Sequence, residues 1–406
     1  MNVLLIAGGL PYPPASGGAL RVFSLIQVLH GAGHTVSLIA LDDSAADWQS
    51  TPLKHLCAQV AVIAPPLWPK SRRLINLLRG QADIAQRMAV PDVAVTALRW
   101  HGATPFDLIQ AEGIETAFAL RQLASQIGDT VLSFDTFNAE YALQRVIAGI
   151  DARTLKRWPA ALYSWIQSHL IRRYERALCQ LSQIVIAVSP EDAAALQPLC
   201  KTGQSVPVIP SAIDTAIYAE AANPADLGSK ALVFTGKMDY RPNVDAMLWF
   251  CDAIWPQIRQ THPEATLIIV GQRPSPAIQA LSALPGVTVT GRVESVTPYL
   301  HAATVYIAPL RMGSGTRLKL LEAMAASAPI VATPIAAAGL LPAAKAAMIA
   351  TPNTAEAFAS AVNALLNNPN KRSELANEAL HCVRTHYDWR AVAPALLRIY
   401  EEAGLG

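Results

Sequence analysis

Continuous apolar runs of a few residues, each followed by a loop and then a helical pattern, recur from one end of this chain to the other. A run that is apolar on both faces suits a parallel strand covered on both sides, and strand, loop, helix and strand in that order is the signature of an α/β sheet. The first run is Asn2–Ala7. A Gly/Pro loop (Gly8–Gly18) follows it, then a helical pattern from Ala19 to about Gly31, and Gly33-His34 leads into a second strand, Thr35–Leu41. Further strands are expected at Val60–Ile63, Leu108–Gln110, Thr130–Phe134 and Ile184–Val188. The pattern breaks near Lys201–Ser211, where Gly203, Pro207 and Pro210 cluster, and then restarts. Ala231–Thr235, Thr266–Val270, Val287–Thr290, Thr304–Ala308 and Ile330–Ala332 read as strands, with a helix over Asn243–Gln260.

These two series predict two Rossmann-like doubly wound domains in tandem, with a cleft between them. The expected divisions are 1–210, 211–387 and a terminal segment, 388–406, whose helix (about Trp389–Ala403) packs back on the first domain. A chain of 406 residues, 52% hydrophobic and 15% charged, can bury cores of that size and is not disordered. Its net charge of +2 is too small to argue for nucleic acid. The five cysteines are far apart and form no CxxC pair, which implies reduced thiols in a cytoplasmic protein and neither a metal site nor a disulfide framework. No apolar run is long enough to span a bilayer, and the first strand lacks the basic leader of a signal peptide.

The most informative stretch for function is 309–340. An apolar strand runs into Gly313-Ser314-Gly315-Thr316, and a strong helix former follows, carrying Arg317, Lys319 and Glu322. Glycines let backbone N–H groups approach a ligand, and a helix N-terminus presents unpaired donors to an anion. Cations beside them suit phosphate, and a carboxylate farther along the helix suits the vicinal hydroxyls of a ribose. The constellation reads as a nucleoside diphosphate site. The alternative for Glu322 is a surface pair with Lys319 at i,i+3, worth a few tenths of a kcal/mol; its neighbours, Leu-Leu-Glu-Ala-Met-Ala, argue against a solvated face. Gly17-Gly18 lacks the G-x-G-x-x-G spacing, so a nicotinamide cofactor is not indicated.

Several short segments, in order, resemble the retaining, nucleotide-sugar-dependent glycosyltransferases of family 4 with the GT-B fold, of the bacterial exopolysaccharide type. They are Tyr12-Pro-Pro-Ala-Ser-Gly-Gly with Arg21, Gly33-His34, Val188-Ser189-Pro190-Glu191-Asp192, and Val208-Ile209-Pro210-Ser-Ala-Ile-Asp214 with Tyr218. Phe234-Thr-Gly-Lys237-Met-Asp239, Val270-Gly271, Gly291-Arg292-Val293 and the Gly313–Glu322 segment complete the series, which covers essentially the whole chain.

The resemblance implies roles for particular residues. Glu322 matches the glutamate that binds the donor ribose. Eight positions earlier the family often has a second acid against the donor sugar; this chain has Ser314, which leaves the backbone N–H groups of Gly313, Ser314 and Gly315 as candidates to contact the sugar or the diphosphate, with Thr316 a further donor-side candidate. Lys237 stands where the family places a cation for the diphosphate, with Lys319, Arg241 and Arg317 as candidates for a second. Gly17 and Gly18 are expected to approach the diphosphate or the acceptor. Arg292 and Val293 match a turn that bonds the base through its backbone. Glu112 stands where many relatives have a histidine near the reacting carbon; it would act on the acceptor hydroxyl, support the donor sugar, or serve only as a structural hydrogen-bonding group. Asp135 and Asn138 are candidate acceptor-side residues.

By the same resemblance the enzyme needs no metal and no cofactor beyond the nucleoside diphosphate sugar as co-substrate, and no DxD motif is present. The expected acceptor is a glycan or lipid-linked glycan. Two other readings of the fold are a GT-B partner protein that has lost catalysis, motivated by Ser314 and Glu112, and a nucleotide-sugar epimerase. Two basic stretches interleaved with aromatics, Trp68–Arg79 and Arg145–Arg176, suit an anionic membrane surface and equally suit amphipathic helices packed on the core. They make peripheral attachment at the inner face of the cell membrane an expectation alongside the cytoplasmic one.

Overall fold

The computed structural model describes the chain except residues 15, 44–46, 153–156, 220–223, 313–316 and 406, and the side chains of 70, 71 and 74. It divides into two compact units, Met1–Ser211 with Ala393–Gly406, and Ala212–Val392.

The first unit holds a six-stranded parallel sheet of β1 (Asn2–Ala7), β2 (Thr35–Leu41), β3 (Gln59–Ile63), β4 (Leu108–Glu112), β5 (Val131–Asp135) and β6 (Ile184–Ile186), in the order β3-β2-β1-β4-β5-β6. The second holds β7 (Ala231–Thr235), β8 (Thr266–Val270), β9 (Val287–Gly291), β10 (Val305–Ala308), β11 (Ile330–Ala332) and β12 (Ile349–Ala350), in the order β12-β11-β10-β7-β8-β9. Numbered from its own first strand, the second sheet repeats the topology of the first. Each is a doubly wound sheet whose strand order reverses once, between β1 and β4 in one and between β7 and β10 in the other. Ligands of such sheets bind outside the carboxyl ends of the strands at that reversal. The central strands are buried throughout: Val3 to Ile6 and Ala231 to Phe234 are fully inaccessible.

Local sequence sets the helix starts. Ser16 caps the helix Gly17–Gly31, its hydroxyl accepting from Ala19 N at 3.3 Å. Ser189 caps Pro190–Leu196 in the same way, accepting from Asp192 N at 3.1 Å, with Pro190 at the first helical position and two acids in the first turn. The expected helix over Asn243–Gln260 runs from Arg241 to Thr261 and is interrupted by a π-turn at Phe250–Ile254. Pro256 follows that turn; it has no N–H to continue the ladder. Strand β6 is shorter than expected, and β12, with two residues, carries too little pattern to read in advance.

Candidate functional site

In the second unit, β7, β8 and β9 are each closed by a glycine at the carboxyl end of the sheet: Gly236, Gly271 and Gly291. A Cβ on Gly271 would stand 1.7 Å from the Gly236 carbonyl oxygen. One on Gly236 would stand 2.6 Å from Asn243 Nδ2 and 2.8 Å from Lys319 Nζ. Gly236 N donates to Val270 O (3.0 Å), Gly271 N to Gly291 O (3.2 Å) and Met238 N to Gln272 O (2.9 Å), so the three strand ends are stitched by backbone alone. The absence of side chains there lets two other elements close in.

The first is the helix Arg241–Trp249. Pro242 sits in its first turn and puts Asn243 against the end of β7, 5% exposed. Asn243 Nδ2 donates to Lys237 O at 2.9 Å, and its Oδ1 accepts from Lys319 Nζ at 2.8 Å. The second is the helix Leu318–Ala325, which starts after the strand β10 and the segment that joins them. Lys319 Nζ also lies 4.2 Å above the Phe234 ring. Burial lowers the Lys319 pKa to about 7; Arg317 pushes in the same direction and Glu322 opposes it. Glu322, one turn into the helix, is half-buried, and its Oε1 accepts from the Tyr218 hydroxyl at 3.3 Å. Burial raises its pKa, against the pull of Tyr218 and Lys319. Tyr218 is fixed in turn by His301, whose Nε2 lies 2.8 Å from Tyr218 O.

Lys319 and Glu322 are therefore not the solvated surface pair considered as an alternative: the ammonium bonds Asn243 and the carboxylate bonds Tyr218. Arg317 is half-buried at the N-cap of the same helix, its pKa lowered by burial. Lys237 and Arg241 are exposed, just beyond β7 and at the start of the following helix. Arg292 is exposed and Val293 half-buried, directly after Gly291. Gly313, Ser314, Gly315 and Thr316 lie outside the described residues. Sequence reasoning missed Asn243; its signal is the Arg-Pro-Asn step, which places an amide in the first turn of a helix leaving a strand end.

In the first unit the reversal point holds a buried polar chain. Arg21, 2% exposed, binds Asp135 through two hydrogen bonds of 2.8 Å and donates to Ile209 O at 3.0 Å. Glu112 is paired in register with Asp135 across β4 and β5. Gln110 Nε2 donates to Glu112 Oε1 at 2.8 Å, and Tyr400 OH donates to Gln110 Oε1 at 2.9 Å. Burial and the Asp135 carboxylate hold Glu112 well above the usual carboxylate range; Gln110 and Arg21 pull the other way. Asp135 was expected to line an acceptor pocket, but both its oxygens are committed to Arg21 and it is 2% exposed. Its place is structural.

Gly17 is exposed and Gly18 half-buried at the start of the first helix. A Cβ on Gly18 would lie 3.1 Å from the Phe137 ring, as a Cβ on Gly113 would at 3.2 Å, so Gly18 lets the helix settle against Phe137. Asn138 Nδ2 donates to Glu140 Oε1 at 3.1 Å. Glu140 is one wall of a cavity of 200 Å³ whose other polar walls include Asp83, Arg87, Glu115, Tyr163 and Gln167. Gln167 is 2% exposed; its Oε1 accepts from Asp83 N at 3.0 Å, while its Nε2 has no protein partner among the described residues. Burial, with Glu115 beside it, raises the Glu140 pKa to about 7.

The chain matches two family profiles, "Glycosyltransferase Family 4" over residues 15–217 and "Glycosyl transferases group 1" over 229–368. It is 25% identical to a glycogen synthase of Mycobacterium tuberculosis over 100% of this chain and 96% of that protein. It is also 25% identical to a phosphatidyl-myo-inositol mannosyltransferase of Mycolicibacterium smegmatis, over 94% of this chain and 89% of that one. Among solved structures, sucrose-phosphate synthase from Thermosynechococcus elongatus superposes with a TM-score of 0.73 at 17% identity, covering 99% of both chains. Anabaena HepE, in complex with UDP and glucose, superposes at 0.62 and 15%, covering 99% and 100%. The two doubly wound sheets are those of the GT-B fold, and the chain belongs to glycosyltransferase family 4.

Proposed function

We propose that the protein transfers a hexose from a nucleoside diphosphate sugar to a hydroxyl of a saccharide or lipid-linked saccharide, with retention of anomeric configuration and without a metal ion or resident cofactor, in the synthesis of exopolysaccharide or another cell-surface glycan. The observation that carries the donor reading is the pairing of Glu322 and Lys319 on one helix at the reversal point of the second sheet. Glu322 Oε1 is oriented by Tyr218, and its second oxygen suits a ribose diol. Lys319, with Arg317 at the same helix start, suits the diphosphate, and exposed Lys237 and Arg241 add charge at the neighbouring strand end. As the glycosidic bond breaks, the departing diphosphate gains negative charge, so fixed cations here stabilise the transition state more than the ground state.

HepE binds UDP and glucose, which favours a uridine nucleotide as the first donor to test. The mannosyltransferase relative, by its name, acts on a phosphatidyl-myo-inositol, which favours a lipid-linked acceptor. The polar 200 Å³ cavity beside Glu140 suits the hydroxyls of such a saccharide. Peripheral attachment at the cytoplasmic face of the membrane fits the exposed Leu67 before the helix of the first basic stretch and the exposed Leu78 that ends it, and the second stretch treated below.

A thermal-shift screen of UDP, GDP, ADP and their sugars tests the donor. A ligand at a hundred times its Kd raises stability by roughly 2.7 kcal/mol. Glu322→Ala should abolish the shift given by the best nucleotide, and unchanged nucleotide binding in that variant would refute the ribose assignment.

A further inference from the structure

The helices Glu140–Asp151 and Trp158–Leu181 lie side by side in the first unit, and a groove runs between them. One end is polar: a 350 Å³ space bounded by Tyr141, Arg145, Ser168, His169 and Arg172, with Trp165. The other end is apolar: a 480 Å³ space walled by Ala148, Gly149, Ala152, Ala161 and Leu162, with Trp158. Arg145 and Trp165 line both, so the two spaces adjoin. Small residues at that end, Ala148, Gly149 and Ala152 on one side and Ala161 on the other, leave the space open.

The rim is an unusual surface for water. Trp158 is 59% exposed, Leu162 58% and Trp165 54%. Contiguous exposed apolar side chains of this size mark a binding surface. Trp165 packs against His169, with ring centroids 4.5 Å apart and the ring planes tilted by 57°, and Trp158 Nε1 donates to Ala152 O at 3.1 Å, so each indole has a contact that orients it. At the polar end Arg145 and Arg172 are exposed, and neither has an ion-pair partner among the described residues. Arg172 rests over the Tyr141 ring, 5.8 Å from guanidinium carbon to centroid, with its N–H groups free to fork a phosphate.

We infer that this groove is a binding site for an anionic membrane lipid, its headgroup phosphate held by Arg145 and Arg172 and its chain laid along the apolar end between Trp158, Leu162 and Trp165. Charge complementarity and the division into one basic and one apolar end commit the site to an amphiphile rather than to a free phosphate or a peptide. A chain buried in the groove and a basic end facing an anionic leaflet are the two signals that together hold a protein at a membrane. The inference builds on the lipid-linked acceptor reading, and it gives the second basic stretch a defined lipid site.

Vesicle co-sedimentation without nucleotide tests it, using phosphatidylcholine alone and phosphatidylcholine with about a third phosphatidylglycerol to supply an anionic leaflet. The expected result is binding to the anionic vesicles at least tenfold tighter than to the neutral ones. Arg145→Glu/Arg172→Glu should remove that preference. Leu162→Asp should weaken binding to both vesicles, and chain-brominated lipid should quench emission in the wild type and not in Trp158→Phe/Trp165→Phe. Competition by inorganic phosphate as effective as by vesicles, equal binding by wild type and the arginine variant, or no pelleting of the wild type would each overturn the assignment. Retained nucleotide-induced thermal shift in every variant shows that the fold is intact. Sugar transfer to a water-soluble acceptor, measured without vesicles, reads the proposed function separately, so either claim can fail alone.

Discussion

On the proposed donor reading, the depressed pKa of Lys319 makes donor binding a proton-coupled event. Its ammonium is held at about 7 chiefly because it is buried between Phe234, Asn243 and the ends of β7 and the helix Leu318–Ala325. A bound diphosphate supplies the opposite charge that burial denies and moves the group back toward the ordinary lysine value of about 10.4. For a single site, a pKa of about 7 leaves roughly a tenth of the free protein charged at about pH 8 and nine-tenths at about pH 6. Binding of UDP-glucose should therefore take up about 0.9 proton at about pH 8 and about 0.1 at about pH 6. The protonated form is the one that binds, so affinity is flat in acid and falls by up to about tenfold per unit as pH rises above 7. A nucleoside diphosphate sugar lacks a secondary phosphate ionisation in this range, which leaves the lysine as the reporter. Isothermal titration in buffers of different ionisation enthalpy measures the uptake directly. Lys319→Met should abolish the uptake and weaken binding, while raising the melting temperature of the ligand-free protein by removing a buried cation. Affinity independent of pH, with no proton taken up at about pH 8, would refute the reasoning.

Gly271→Ala forces a Cβ to 1.7 Å from the Gly236 carbonyl, which the strand ends can relieve only by parting, so a cost above about 4 kcal/mol is expected. Thermal unfolding reads it, with Gly31→Ala, which meets nothing within 4 Å, as the near-neutral control. Asp135→Asn leaves Arg21 charged and unpaired in the core and should cost about 3–5 kcal/mol in denaturant unfolding; a loss under about 1 kcal/mol would show that water or another acid replaces it. Burial raises the folded-state pKa of Glu140 to about 7 and of Glu175 to about 8. Their contribution to stability is full below the unfolded value near about 4.3 and is lost as pH rises through 7 and 8. Glu140→Gln should therefore flatten the lower part of that decline in melting temperature, and parallel curves for variant and wild type would count against it.

What the sequence made legible is what local pattern encodes. Ala231–Thr235, Thr266–Val270 and Ile330–Ala332 were readable to the residue because each is a short apolar run bounded by loop residues, and a buried parallel strand needs nothing else. Glu322 stood out because a carboxylate inside Leu-Leu-Glu-Ala-Met-Ala needs a partner, and Tyr218 is the one the structure gives it. The contacts that escaped are long-range. Arg21 reaches Asp135 across 114 positions and Tyr400 reaches Gln110 across 290, and no periodicity in either segment announces a partner. Asn243 escaped for a different reason: an asparagine in a first helical turn is usually a cap, and only the missing side chain of Gly236 lets Lys319 come close enough to use it.

The pairing of Glu112 with Asp135 settles how one of those long-range groups works. Register across β4 and β5 puts the two carboxyl groups on the same face at neighbouring strand ends, with Arg21 as the buried cation bound to Asp135. Two buried carboxylates cannot both ionise against one guanidinium at low cost. Asp135 takes both Arg21 hydrogen bonds and holds the charge. Glu112 takes one hydrogen bond from Gln110, its Oε2 receives none from any described donor, and its pKa is driven up by burial and by Asp135. A proton on Oε2 resolves both facts, since it can be donated to Asp135. The cluster is then one cation, one anion and one neutral acid, tied through Gln110 to Tyr400 near the chain's end. A neutral acid whose proton is engaged by a neighbour is poorly placed to take one from an acceptor hydroxyl. Of the roles open to Glu112, the geometry therefore favours the structural one, and on the proposed function the groups left to meet an acceptor are those that face a cavity, Glu140 and Glu115, with Arg87 bonded to Asp83 in the same wall.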